Sequence, residues 1–155
     1  MTTVTRVGAQ SPVPRLTARG ALTRDRIVRA AADLMHGAGV AGTTMDQVVD
    51  ASSTSKSQLY HYFADKDALV AAVIELQVAR VLEFQEPYLE RLASVADLRR
   101  WRDAVVSFVE EARGANGCAV GSLSSELADR SEPARSLVQA AFRSLRTPQI
   151  PEPRR

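Results

Sequence analysis

Between Thr54 and Phe63 the chain reads TSKSQLYHYF, a run that gathers ammonium, hydroxyl, amide, phenol and imidazole groups around two apolar anchors, Leu59 and Phe63. Such side chains donate to phosphate oxygens and pair with base edges. The spacing predicts the scaffold. Ser55 and Gln58 form a Ser-x-x-Gln capping box, which starts a helix at the serine. From that start Leu59 and Phe63 fall at i and i+4 on one face, leaving Lys56, Ser57, Gln58, Tyr60 and His61 on the remaining surface.

A second capping box, Thr44-Met45-Asp46-Gln47, opens a helix just upstream with Met45, Val48 and Val49 as its apolar residues. The two helices meet across the small polar turn Ala51-Ser52-Ser53-Thr54, the layout of a helix-turn-helix. Before them a helix is predicted from Thr23 as N-cap, with Ile27, Ala31, Leu34 and Met35 on one face and Gly37 and Gly39 at its end. The core of this three-helix unit is then Ile27, Leu34, Met45, Val48, Leu59 and Phe63.

On these residues the stretch from about Thr23 to Ile74 resembles the N-terminal DNA-binding domain of TetR-type transcriptional regulators. The recognition helix of that family usually reads close to SKGTLYHYF, and this chain has SKSQLYHYF followed by ADKDAL at Ala64 to Leu69. Ser53, Thr54 and Ser57 depart from the glycine, valine and glycine common in the family. A turn glycine supplies positive φ, which serine adopts at a cost of about 1 kcal/mol. A slightly altered turn and a changed target sequence are therefore expected.

The resemblance implies a sequence-specific DNA-binding transcriptional regulator, a repressor released by a small apolar effector, working as a homodimer on a palindromic double-stranded operator. It places Lys56, Ser57 and Gln58 at base edges, with Gln58 shaped for bidentate pairing to adenine. Tyr60, His61, Tyr62, Lys66 and Thr44 are assigned to phosphates or a thymine methyl; the alternatives are Tyr62 as a core residue, Lys56 and Lys66 as ordinary solvated charges, and Gln58 as a capping residue alone.

Charge agrees with such a partner. The net charge is only +2, yet Arg6, Arg15, Arg19, Arg24, Arg26 and Arg29 face a single acid, Asp25, in the first 29 residues. Residues 1–20 are expected to be a flexible basic arm, 21–66 the helix-turn-helix domain, 67–146 a helical regulatory domain and 147–155 an irregular tail. With no apolar run of membrane-spanning length and no apolar leader, a cytoplasmic protein without membrane contact is expected. Cys118 has no partner for an internal disulfide, and His36 and His61 make no ligand cluster, so no metal, cofactor or catalytic residue is assigned. His36 is read as structural or exposed.

Downstream, a long helix is predicted from Asp67 with Val70, Ile74, Gln77, Val81, Phe84 and Tyr88 in register, kinked or restarted by Pro87. Further helices are predicted over Ala96 to Arg113, around Leu123 and Leu127, and from Ser131 through Leu137, Val138, Ala141, Phe142 and Leu145. No strand pattern occurs, so the fold class is all-α. Phe84, Tyr88, Trp101, Phe108, Cys118 and Leu123 are candidates for an apolar ligand cavity between helices; at helical spacing such residues also serve as plain core. The segment GCAVGSLSSEL resembles one found in effector-binding halves of the family.

The resemblance also implies two further helices for dimerisation beyond Thr147. Two expectations stand side by side: a reading frame shortened near that residue, or a short variant pairing through its Trp101 or Leu137 face. The rival functional reading is a helical interaction module or truncated regulator that has lost dimerisation and DNA binding.

Overall fold

The computed structural model describes residues 16–111, 118–128 and 132–146, which form seven helices and, among the described residues, no strand. They are α1 (Ala18–Gly42), α2 (Met45–Ser52), α3 (Lys56–Tyr62), α4 (Lys66–Leu89), α5 (Val95–Glu111), α6 (Ala119–Ala128) and α7 (Glu132–Arg146). The all-α expectation holds. Most of the basic arm, the Ser131 helix start and the tail lie outside the described residues.

α1 begins earlier than Thr23. The Thr17 hydroxyl accepts from the Gly20 N–H at 3.1 Å and caps the helix, so residues 18–20, expected in the arm, are helical. Thr23 instead sits inside the helix and donates its hydroxyl to the Arg19 carbonyl at 3.0 Å. The far end is set by Gly39, whose φ of 74° breaks the helical path before a last turn through Val40. That break exposes the Val40 and Ala41 N–H groups, which lack partners within the helix. Both donate to the Glu126 carboxylate of α6, at 2.7 and 3.3 Å.

One apolar cluster runs through the molecule. Ile27, Val28, Ala31, Ala32, Met35 and Val40 of α1 meet Val48, Leu59 and Phe63, and the same cluster continues through Leu69, Val70, Val73 and Ile74 into Val120, Leu123 and Leu127. Of the expected head core, Ile27, Val48, Leu59 and Phe63 are buried, whereas Leu34 and Met45 are only partly covered. α4 is the spine, packing on α1 at one end and on α5, α6 and α7 along its length.

Pro87 neither kinks nor restarts α4, which runs unbroken to Leu89. The ring falls in the final turn, where it removes a bond only to the carbonyl of exposed Glu83, and the Glu90 N–H still reaches the Glu86 carbonyl at 3.0 Å. α5 starts on a local cap: Ser94 Oγ donates to Asp97 at 2.6 Å and accepts from its N–H at 3.2 Å. The Ser94 hydroxyl, then Arg100 and the Ala93 N–H, lower the Asp97 carboxyl to about 2. α5 buries none of its side chains fully and leaves Val95, Leu98, Val106, Phe108 and Val109 exposed.

Replacing Gly39 tests the α1 break. An added Cβ would stand 2.7 Å from Glu126 Oε1 in a backbone state that L residues avoid. Gly39→Ala is expected to lower the unfolding free energy by about 1–3 kcal/mol, read as a lower urea midpoint with an unchanged slope.

Candidate nucleic-acid interface

α3 has seven residues, too few to hold a helix in isolation, so its shape comes from its ends and its anchors. Both arms of the predicted box are present: the Gln58 N–H donates to Ser55 Oγ at 3.1 Å, and the Ser55 N–H donates to Gln58 Oε1 at 3.0 Å. Leu59 is fully buried and Phe63, the closing residue, nearly so. Arg24 of α1 lies over the Phe63 ring at 5.2 Å from its centre, clamping the anchor from the outer side.

The upstream box is equally complete. Thr44 Oγ1 accepts from the Gln47 N–H at 3.2 Å, while Gln47 Oε1 accepts from the Thr44 N–H at 2.7 Å. Between the helices Ser53 adopts φ 50° and ψ 46°, the left-handed conformation that a glycine would enter more cheaply. The turn keeps this geometry because its neighbours enforce it. The Ser53 N–H reaches the Asp50 carbonyl and the Thr54 N–H reaches the Val49 carbonyl, both at 3.1 Å. Buried Ser52 adds a bond to the Val48 carbonyl at 2.6 Å and contacts the Thr54 hydroxyl at 2.8 Å.

The residues nominated from sequence are displayed together. Lys56, Ser57, Gln58, Tyr60 and His61 are exposed on α3, and Thr44 is exposed at the start of α2. Lys66 is half-buried at the start of α4, whose N-cap Asp65 accepts from the Ala68 N–H at 2.8 Å. Tyr62 is half-buried, packs on the core and meets His61 edge to face at 5.0 Å. A Cβ on Gly20 would stand 3.3 Å from the Tyr62 hydroxyl, so the first turn of α1 lies beside the recognition helix.

One constraint follows from the predicted box, and a second was not visible in the spacing. Gln58 commits its carbonyl oxygen to the cap, leaving its amide N–H groups to face outward. Lys56 already has a partner, with Nζ 2.9 Å from Asp46 Oδ1 of α2. That hydrogen bond and the Asp46 charge raise the Lys56 pKa. Since the folded value is raised, the stabilising contribution is full below lysine's ordinary pKa and is lost as pH climbs through the raised one. Both partners are exposed, so salt screens the pair.

The six apolar candidates in the second half do not converge on one cavity. Phe84 contacts Tyr88 at 6.0 Å and Phe108 at 5.2 Å between ring centres. Leu123, by contrast, is buried in the shared core, and Cys118 is exposed at the start of α6. Trp101 is half-buried, with its indole N–H covered and unpaired among the described residues. A cleft of about 330 Å³ lies between the end of α4 and the start of α5, lined by Pro87, Tyr88, Arg91, Asp97 and Arg100. Of the six only Tyr88 reaches it. Among the described residues no His, Cys, Asp and Glu side chains gather into a metal-binding group, and no helix is long and apolar enough to cross a membrane.

Residues 27–73 match the family of bacterial regulatory proteins described as the tetR family. An uncharacterized HTH-type transcriptional regulator encoded in the lacX 3' region of Lactococcus lactis subsp. lactis is 29% identical over 79% of this chain and 64% of its own length. The HTH-type regulator YxaF of Bacillus subtilis (strain 168), likewise uncharacterized, is 28% identical over 83% of this chain and 68% of its own. The chain thus spans about two thirds of the length of these relatives. A TetR regulatory protein from Rhodobacter sphaeroides shares the fold with a TM-score of 0.68 at 22% identity, over 79% of this chain and 66% of that one. A TetR-family regulator from Agrobacterium tumefaciens does so at 0.66 and 22%, over 81% and 66%.

The strained turn gives a stability test. Ser53→Gly is expected to stabilise the fold by about 1 kcal/mol, visible as a higher thermal midpoint; a lower midpoint would show that the Ser53 side chain outweighs its backbone cost.

Proposed function

We propose that this chain, whose residues 27–73 match the tetR family of bacterial regulatory proteins, is a sequence-specific DNA-binding regulator of transcription that acts as a repressor. The observation that carries this reading is the division of α3, with Leu59 and Phe63 sunk in the core while Lys56, Ser57, Gln58, Tyr60 and His61 point outward. α3 enters the major groove. Ser57 and the Gln58 amide meet base edges there, whereas Tyr60, His61, Lys66 and Thr44 hold phosphates.

Two copies pair on a palindromic operator, with their recognition helices about 34–36 Å apart along the duplex. The exposed apolar residues of α5 supply a surface for that association. A small apolar effector acts from the half built around α4 to α7, where the Phe84, Tyr88 and Phe108 rings and the cleft beside Tyr88 are the sites to probe. Its binding releases DNA by favouring a head arrangement that mismatches the operator. The protein works without enzymatic activity, in the cytoplasm.

Duplex selection from random sequences, followed by titration in low and physiological salt, tests the reading. Gln58→Ala is expected to relax preference at one base pair, while Lys66→Ala weakens all sequences alike and lowers the salt slope by about one. Equal losses on selected and random duplexes for Gln58→Ala would remove it from base reading. Failure of the unaltered protein to prefer any duplex would instead support an interaction module. Light scattering is expected to show a dispersed dimer at micromolar concentration; a monomer in the presence of operator would refute paired binding.

A further inference from the structure

We propose that Glu126 is a positioning residue for DNA binding, the group that fixes the orientation of the helix-turn-helix on the rest of the chain; this rests on the regulator reading above. Its carboxylate reaches across 86 positions of sequence to take the Val40 N–H at 2.7 Å, and the Ala41 N–H at 3.3 Å. Those two amides are available because Gly39, at φ 74°, interrupts α1 just before them. Glu126 lies outside the segment that matches the family, residues 27–73.

The apolar contact around this point supplies the cohesion of the junction. Val120, Leu123 and Leu127 of α6 bury themselves in the cluster that includes Met35 and Val40, and such contact is non-directional. A carboxylate shared by two backbone N–H groups is directional and charge-assisted. It adds a directional constraint to that packing.

The tethered turn leads straight to the candidate interface. Buried Thr43 donates its hydroxyl to the Gly39 carbonyl at 2.8 Å, and its N–H reaches the Val40 carbonyl at 3.4 Å. The next residue, Thr44, caps α2. A rotation of the Val40 turn is therefore delivered within four residues to Thr44, and through α2 to the Lys56 side of α3 by way of Asp46.

Glu126→Gln in the full chain preserves side-chain volume and one neutral acceptor while removing the charge. Amide hydrogen exchange at Val40 and Ala41 is expected to quicken about tenfold, with affinity for a selected duplex falling about tenfold, affinity for random duplexes nearly constant and far-ultraviolet circular dichroism unchanged. Unaltered exchange at these amides would overturn the tether. Quickened exchange with equal losses on selected and random duplexes would overturn the positioning role, since a reduced folded population weakens both alike. If the unaltered chain selects no duplex, yet the substitution still quickens exchange, the regulator reading fails and the DNA-positioning role falls with it, while the tether itself stands.

Discussion

The outward face of α3 depends on the burial of one leucine. α3 is seven residues long, and a helix that short does not persist in water on its own hydrogen bonds. Leu59, with no exposed surface, and Phe63 beside it seat α3 against α1 and α2. Once that face is committed inward, the polar side chains have only one direction left. The capping box at Ser55 sets where the helix starts, but the anchors decide which way it looks.

Much of this arrangement could be read from the residues because it is local. Two capping boxes, each spanning four positions, gave both short helices and the turn between them, and periodicity gave Leu59, Phe63 and the apolar face of α4. What escaped was decided at longer range or by close energetic competition. Thr17 and Thr23 are both plausible caps by type, and the choice went to Thr17 because Arg19, Ala21 and Leu22 sustain a helix ahead of Thr23. Pro87 predicts a kink or a restart, whereas its place in the last turn of α4 leaves little to disrupt. The spacing gave no sign of Glu126 meeting Val40, or of Asp46 meeting Lys56.

The turn shows how context overrides propensity. Serine is a poor choice for a left-handed position, yet Ser53 is held there by two backbone bonds and by the Ser52–Thr54 hydroxyl contact. A serine thus holds a left-handed turn position that a glycine would enter more cheaply. The apolar candidates of the second half fared differently. Helical spacing put Phe84 and Tyr88 on one face of α4, where Phe108 of α5 joins them, but Leu123 is buried in α6 while Cys118, just ahead of that helix, is exposed.

The ion pair between Lys56 and Asp46 changes what that lysine can offer a polyanion. A phosphate approaching α3 meets an ammonium whose charge is already balanced, so engagement is a trade of one anion for another rather than a capture. Asp46 would then be left facing a duplex of its own sign. On the proposed function, the net counterion release from Lys56 would be correspondingly small, because its resident carboxylate must first be displaced.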